Sequence, residues 1–190
     1  MKKLKTADAL EYLRNCYAKV DGLWFIKAEE ELGFEKALEF DRKVWAVLPK
    51  IQARFLKNVV QNEKSDKKYT PALRDPAVTQ SVIPDEKEFK LLRDCLAIKM
   101  KFDGFLFKTK LLKEVKSRNT RGIIITINKC PWHEIMVKSK REKLSSRIGS
   151  VICHTEYSAF AGEFSDNIYL NINEGICRNH STCSFYYEKK

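Results

Sequence analysis

The amino-acid sequence predicts an α+β fold, with N-terminal helices followed by a four-stranded antiparallel sheet that helices cover on one face. Two patterns predict this class. Apolar residues recur every three or four positions through most of the N-terminal half, which is the period of an amphipathic helix. After Phe105 they alternate with other residues, which is the period of a strand. With 190 residues, of which 44% are hydrophobic, the chain is long enough to fold as one compact unit.

The N-terminal region is predicted to begin with two helices. Thr6 can cap a helix that runs to about Val20, and Asp21-Gly22 is typical of a helix end. The buried stripe of this first helix is expected at Leu10, Leu13 and Tyr17. A second helix is expected to run from Leu23 to Gly33, because glycine is the residue most often found just after a helix.

The longest helix is predicted from Glu35 onward. Its apolar stripe consists of Ala37, Phe40, Val44, Leu48, Ile51, Phe55 and Val59. Pro49 lies within this pattern and removes one backbone hydrogen-bond donor. We expect it to bend the helix rather than end it, because the apolar stripe continues beyond the proline.

A proline-containing linker is predicted at residues 61–84, where polar residues are followed by Pro71, Pro76 and Pro84. This divides the chain into a helical N-terminal region, residues 1–84, and an α+β region, residues 85–190, that binds a metal or a small molecule. We expect the two regions to form one compact unit.

The α+β region is predicted to open with a helix, since Asp85 and Glu88 have the spacing of a capping box. Its apolar face consists of Phe89, Leu92, Cys95, Leu96 and Met100. Four strands follow, at Phe105 and Phe107; at Ile123, Ile125 and Ile127; at Ile168, Leu170 and Ile172; and at Cys183, Phe185 and Tyr187.

Two helices are predicted between the second and third strands, one from Pro131 to about Leu144 and one from about Arg147 to Phe160. The predicted order of elements is therefore β-β-α-α-β-β. A sheet with helices on one face leaves a hollow between the two layers, where we expect a small-molecule ligand or a metal to bind.

Composition and charge argue against several classes of protein. No stretch approaches the roughly 18 apolar residues of a membrane helix, so we expect a cytoplasmic protein without membrane contact. Disulfides are rare in the cytoplasm, so the six cysteines are expected to be free thiols or metal ligands. The net charge of +11 is spread along the chain, and its densest run, Lys108–Arg118, is expected to be a solvated edge rather than a nucleic-acid interface. No Gly-rich phosphate loop is present, so nucleotide-dependent chemistry is not expected.

Soft metal ligands are concentrated in the last third of the chain. The predicted zinc ligands are Cys153, Glu174, Cys177 and Cys183. The last three flank the loop of the final hairpin, and the first lies on a helix expected to pack over the sheet. His180 is the alternative ligand if Glu174 faces solvent. His154 is left out of the ligand set, because it neighbours Cys153 in sequence and points elsewhere on the helix, so joint ligation by both is not expected. The alternative interpretation is that these cysteines only pack in the core.

A second candidate site lies at the start of the helix after the second strand. Cys130 and His133 could act as nucleophile and base, because helix N-termini lower the pKa of a thiol. Glu134 and Glu156 are candidate acid–base groups. The alternative is that Cys130 packs at a strand end and His133 is an ordinary first-turn histidine.

These motifs resemble those of the L-2-amino-thiazoline-4-carboxylic acid hydrolase-like family. The matching residues are Cys130-Pro131-Trp132-His133-Glu134, Cys153, Glu156, Cys177 and Cys183-Ser184-Phe185. Residues 21–25 and 33–37 are also similar to the N-terminal part of related cytosolic proteins of unknown function, so the resemblance covers residues 8–60 and 121–187.

The C-terminal half is also similar to 4-vinyl reductase domains, which bind small molecules. In the sensor branch of these domains three cysteines and one glutamate hold zinc, and the resemblance assigns those roles to Cys153, Glu174, Cys177 and Cys183. Thiolate and imidazole ligands also suit iron and haem, so iron and haem are alternatives to zinc.

Two functions follow as hypotheses. The first is a small-molecule-binding protein, possible as a homodimer, in which zinc pins the C-terminal hairpin to its helix. The alternative is a hydrolase of a small heterocyclic or amide substrate, similar to a thiazoline-carboxylate hydrolase, that uses Cys130 and His133 or a metal-bound water.

Overall fold

The computed structural model describes residues 5–62, 85–113 and 120–189, and these residues form an α+β fold, as predicted. The helices are α1 (Thr6–Leu32), α2 (Phe34–Trp45), α3 (Leu48–Asn62), α4 (Asp85–Asp103), α5 (Pro131–Lys138) and α6 (Glu142–Gly162). The strands are β1 (Leu106–Lys113), β2 (Thr120–Lys129), β3 (Ile168–Glu174) and β4 (Cys183–Lys189). A 3₁₀ turn, Ile176–Arg178, lies between β3 and β4.

The four strands form one antiparallel sheet in the order β1-β2-β4-β3. Alternate residues of each strand point to one face, and on the central strands these residues are buried: Ile123, Ile125, Ile127, Cys183, Phe185 and Tyr187. Helices α4 and α6 pack on that face. The order of elements from β1 onward is β-β-α-α-β-β.

The main core lies between this sheet face and the helices α3, α4 and α6. The predicted apolar face of α4 is fully buried in it, at Phe89, Leu92, Cys95, Leu96 and Met100. Ala53 and Leu56 of α3 join the same cluster. A smaller cluster of Leu38, Trp45 and Ile152 joins α2 to α6, so residues from both predicted regions pack together.

The N-terminal helix corrects the prediction of two helices, because α1 continues without a break through Asp21-Gly22. A glycine inside a helix costs only about 1 kcal/mol, which the flanking turns can offset. Lys5, not Thr6, holds the N-cap position, and α1 ends at Leu32, just before Gly33, whose φ is +80°. None of its residues is buried, so the predicted buried stripe of Leu10, Leu13 and Tyr17 is exposed instead.

The predicted longest helix is in fact two helices, and this is a second correction. The chain leaves the helical path at Ala46 and Val47, and Pro49 occupies the first turn of α3. Proline fits a first turn because backbone N–H groups there have no acceptor within the helix, so its missing N–H costs no hydrogen bond. The helix is therefore interrupted before Pro49 and is not bent around it. Four residues of the predicted stripe are exposed: Phe40, Val44, Ile51 and Phe55.

Smaller boundary differences affect the later elements. The two predicted helices after β2 are α5 and α6, separated by Lys140, which has a positive φ of 59°. Phe105 is buried just before β1 rather than within it. Three parts of the predictions lie outside the described residues: residues 63–84 of the linker, the side chain of Asp85 in the capping box, and residues 114–118 of the basic run. The first two residues of the predicted linker, Gln61 and Asn62, belong to α3.

Among the residues that the structure describes, no helix is long and apolar enough to cross a membrane.

Candidate functional site

A cleft of about 230 Å³ lies between α6 and the C-terminal hairpin, and it contains the residues predicted to bind zinc. Cys153 comes from α6, Glu174 ends β3, Cys177 lies in the 3₁₀ turn and Cys183 starts β4. All six cysteines of the chain are free thiols. The fold therefore brings four residues from separate elements to one concave surface.

Helix α6 presents two adjacent rows of residues to the cleft. Gly149 and Cys153 are four positions apart, as are Ser150 and His154, so each pair lies one above the other on the helix surface. His154 therefore lines the same cleft as Cys153, in the adjacent row of the helix surface. Its side chain is exposed at the rim.

Gly149 allows the hairpin to approach α6 closely. A Cβ at this position would lie 2.9 Å from the Cys177 Sγ and 3.9 Å from the Cys153 Sγ. The first distance is shorter than real carbon–sulfur contacts, so a larger residue would force the Cys177 side chain or the 3₁₀ turn to shift. The missing side chain leaves the two thiols facing one small space.

The loop between β3 and β4 is held by its own backbone. Arg178 and His180 both donate a backbone N–H to the Gly175 carbonyl, at 2.8 and 3.2 Å. Asn179 takes up the left-handed conformation, with φ of 66°. The backbone N–H of Ile176 donates to the Cys183 Sγ at 3.1 Å. These contacts fix the two cysteines of the hairpin at opposite ends of one tight turn.

The Glu174 carboxylate is already hydrogen-bonded within the hairpin. Its Oε2 accepts from the Thr182 hydroxyl at 2.8 Å and from the Ser184 hydroxyl at 3.0 Å. Both hydrogen bonds stabilise the charged form and lower the pKa of Glu174. Glu174 therefore presents a carboxylate at the rim of the cleft, with one oxygen engaged by its neighbours.

Burial sets the protonation of the three thiols in the cleft. Desolvation raises the pKa of Cys153 well above its usual value, and it also raises the pKa of Cys177 and of Cys183. The Arg178 guanidinium opposes the shift at Cys177 and Cys183. In the absence of a positive ligand these thiols are protonated at neutral pH, and a bound cation would favour their deprotonation.

The donors of the cleft suit zinc chemically, since three thiols and a carboxylate are ligand types that zinc accepts. Their arrangement is more open than a metal centre. Within residues 5–62, 85–113 and 120–189, no three His, Cys, Asp or Glu side chains are close enough together to hold a metal ion. Binding would require the thiols to turn toward one another across the space beside Gly149.

The second predicted site, Cys130 with His133, is arranged differently from the prediction. The His133 Nδ1 lies 2.8 Å from the Ser145 hydroxyl, on α6, rather than pairing with the thiol. Burial raises the pKa of Cys130 to about 12, although the backbone N–H groups of His133 and Trp132 oppose the shift. The expected lowering of the thiol pKa at this helix start is therefore wrong, because desolvation outweighs the helix terminus.

The two glutamates proposed as acid–base groups have ion-pair partners. Glu134 pairs with Lys129 at 3.0 Å on the surface. Glu156 is buried, and its Oε1 lies 2.6 Å from the Lys99 Nζ, which also contacts Asp103 at 2.6 Å. Burial lowers the pKa of Lys99, but the two carboxylates outweigh it and the net shift is upward. Burial raises the pKa of Glu156 against the attraction of its single cation.

Several cleft residues were not predicted as site residues from the sequence, among them Gly149, His154 and Arg178. A glycine inside a predicted helix was the available signal for Gly149, since such glycines usually have a packing reason. The Arg178 guanidinium lies against Gly175, with its Nε 2.8 Å from where a Cβ there would be. It adds a cation to a cleft that also contains three thiols and the Glu174 carboxylate.

Comparison with known proteins adds no relative: no family model matches the chain, and neither the curated proteins nor the solved structures include a significant match.

Proposed function

We propose that this protein binds a small molecule in the cleft between α6 and the C-terminal hairpin, and that zinc held by Cys153, Cys177 and Cys183 pins the hairpin to α6. The observation that carries the proposal is that these three thiols, from a helix, a turn and a strand, line one cleft together with Glu174. Glu174 is the fourth ligand once its carboxylate turns from Thr182 and Ser184.

The small-molecule ligand should be compact, because the cleft has a volume of only about 230 Å³. An anionic group on it would lie at Arg178, away from the negatively charged thiolates and carboxylate of the zinc site. Arg178 can pair with a carboxylate through two parallel hydrogen bonds. Asn171 and Ser150 offer neutral hydrogen-bonding groups on the other walls. A heterocycle that carries one carboxylate, such as 2-amino-thiazoline-4-carboxylate, has this chemistry.

The metal is tested by elemental analysis of protein purified without chelator and then loaded with zinc. We expect about one zinc per chain in the wild type, loss of zinc in Cys177→Ser, and weaker retention in Glu174→Gln. Cys16→Ser is the matched control, because Cys16 lies on α1 and outside the cleft. A wild-type protein that retains no zinc after loading would refute the metal site.

The ligand is tested by titration calorimetry with 2-amino-thiazoline-4-carboxylate, with the reaction products followed by mass spectrometry. Binding that weakens in Arg178→Gln, without turnover, supports the binding function. Turnover would instead support the hydrolase alternative. In that case the rate of iodoacetamide labelling tests Cys130 as the nucleophile. Burial raises the pKa of Cys130 to about 12, so its thiol should react more slowly than the partly exposed Cys16. Faster labelling of Cys130 than of Cys16 would support a nucleophilic role.

A further inference from the structure

The N-terminal helix α1 leaves a large apolar surface uncovered. Its residues Leu10, Leu13, Tyr17, Val20 and Trp24 recur at intervals of three and four, so they share one side of the helix. They are between 37% and 67% exposed, and Phe102 of α4 extends the surface with 58% exposure. We call these six residues the α1 face.

The α1 face is large enough for a stable interface. Six apolar side chains of this size, each about half exposed, present on the order of 600 Å². A standard protein–protein interface buries about 800 Å² on each partner, of which a little over half is apolar. The area is thus what one partner contributes to such an interface.

A groove of about 480 Å³ runs along this face. Leu10, Leu13 and Tyr17 form one side, and Phe102 with its neighbours at the end of α4 forms another. Gln52 of α3 also lines it, and among the described residues its Oε1 is buried without a hydrogen-bond partner. An occupant that donates one hydrogen bond would satisfy this atom.

The charges of the groove favour a second copy of this chain as the occupant. Its charged lining residues are Glu11, Arg14, Lys101 and Asp103, two acidic and two basic, whereas the whole chain carries +11. Two strongly basic molecules approach at least cost through a neutral surface. An anionic membrane or a nucleic acid would instead favour a basic surface.

We propose that the protein is a homodimer in which α1 of each protomer packs antiparallel against α1 of the other across a two-fold axis beside Tyr17, the central residue of the α1 face. Such an isologous contact places the face of one protomer against the same face of the other, with Leu10 opposite Trp24. The one surface thus supplies the apolar area of both partners.

The proposal is tested by sedimentation velocity of the full chain over a dilution series. We expect a dimer that dissociates on dilution, and Leu13→Glu should raise the dissociation constant roughly tenfold or more because it buries a charge in the interface. Leu23→Glu is the matched control, since Leu23 is 58% exposed on another side of the same helix. Circular dichroism checks that both variants remain folded.

Two outcomes would overturn the proposal. One is a wild type that stays monomeric at all concentrations, and binding of that monomer to vesicles of anionic lipid would point to a membrane as the occupant of the α1 face. The other is a Leu13→Glu variant that dimerises normally.

Discussion

Helices α1 and α4 carry the same kind of sequence pattern but have opposite surroundings. The apolar stripe of α4 is fully buried against the sheet, whereas the apolar stripe of α1 is largely exposed. Both stripes have the spacing that predicts a buried helix face. The comparison teaches that periodicity identifies which side of a helix is apolar, but not whether the same chain supplies the surface that covers it.

The largest effect is expected in the core, where a buried ion pair joins α4 to α6. Lys99 and Glu156 are each 4% exposed, so Lys99→Ala would leave Glu156 buried without its cation. We expect a loss of about 3–5 kcal/mol in the free energy of unfolding, measured by urea denaturation. Lys43→Ala removes an exposed ion pair with Glu39 and should cost less than about 1 kcal/mol. Equal losses would contradict the difference in burial.

The comparison of the two helices is tested directly by truncating one leucine in each. Leu92→Ala opens a cavity in the core and should cost about 2–5 kcal/mol. Leu13→Ala removes an exposed side chain and should change stability by about 0.5 kcal/mol or less at concentrations where the protein is monomeric. A large loss in dilute Leu13→Ala would mean that the chain itself covers this residue.

The close approach of the hairpin to α6 predicts a smaller effect at Gly149. Gly149→Ala places a methyl group 2.9 Å from the Cys177 Sγ, and we expect it to cost about 1–3 kcal/mol. Gly162→Ala, at the end of the same helix, meets no atom within 4 Å and should be neutral or stabilising by up to about 1 kcal/mol. Thermal unfolding of the two variants measures the difference.

The smallest effect is expected from pH at the contact of α1 and α2. Burial, with Asp21 and Glu156 nearby, raises the pKa of Asp41 to about 7 against a hydrogen bond from Trp45, and burial raises that of Asp21 to about 6. The unfolded chain loses these protons near pH 4, so the folded state binds more protons between about pH 4 and 7 and stability falls as the pH rises through this range.

Because Asp41 is only partly buried, solvent screens the effect, and we expect a loss of about 1 kcal/mol between pH 5 and 8. Asp41→Asn should flatten this slope in thermal unfolding. Asp166→Asn, at an exposed position, should leave it unchanged. A wild type that becomes more stable from pH 5 to 8 would contradict the direction of both shifts.

The sequence predicted best those elements that the chain itself covers. The α4 face and the alternating residues of β2 and β4 were recognised because burial and pattern agree there. Asp21-Gly22 and Pro49 misled because a turn signal is a local preference of about 1 kcal/mol for glycine, and because proline is tolerated in a first turn as well as at a bend.

The candidate site was predicted in part for the same reason. Cysteine and glutamate identities pointed to Cys153, Glu174, Cys177 and Cys183, and the fold gathers them at one cleft. The raised pKa of Cys130 could not be predicted, because desolvation depends on how α5 packs and not on the position of a residue at a helix start. The role of Gly149 depends on how closely the C-terminal hairpin approaches α6, and the spacing of residues along the sequence does not reveal that distance.

The position of the cleft in the chain has a consequence for folding. All of its lining residues lie between Gly149 and Phe185, in α6, β3, β4 and the loop with the 3₁₀ turn that joins the two strands. The pairing of β2 with β4 joins residues that are further apart in the sequence, such as Ile127 and Cys183. Short loops close at lower entropic cost than long ones, so the cleft should assemble early, and the β1–β2 hairpin should dock along β4 as the later step.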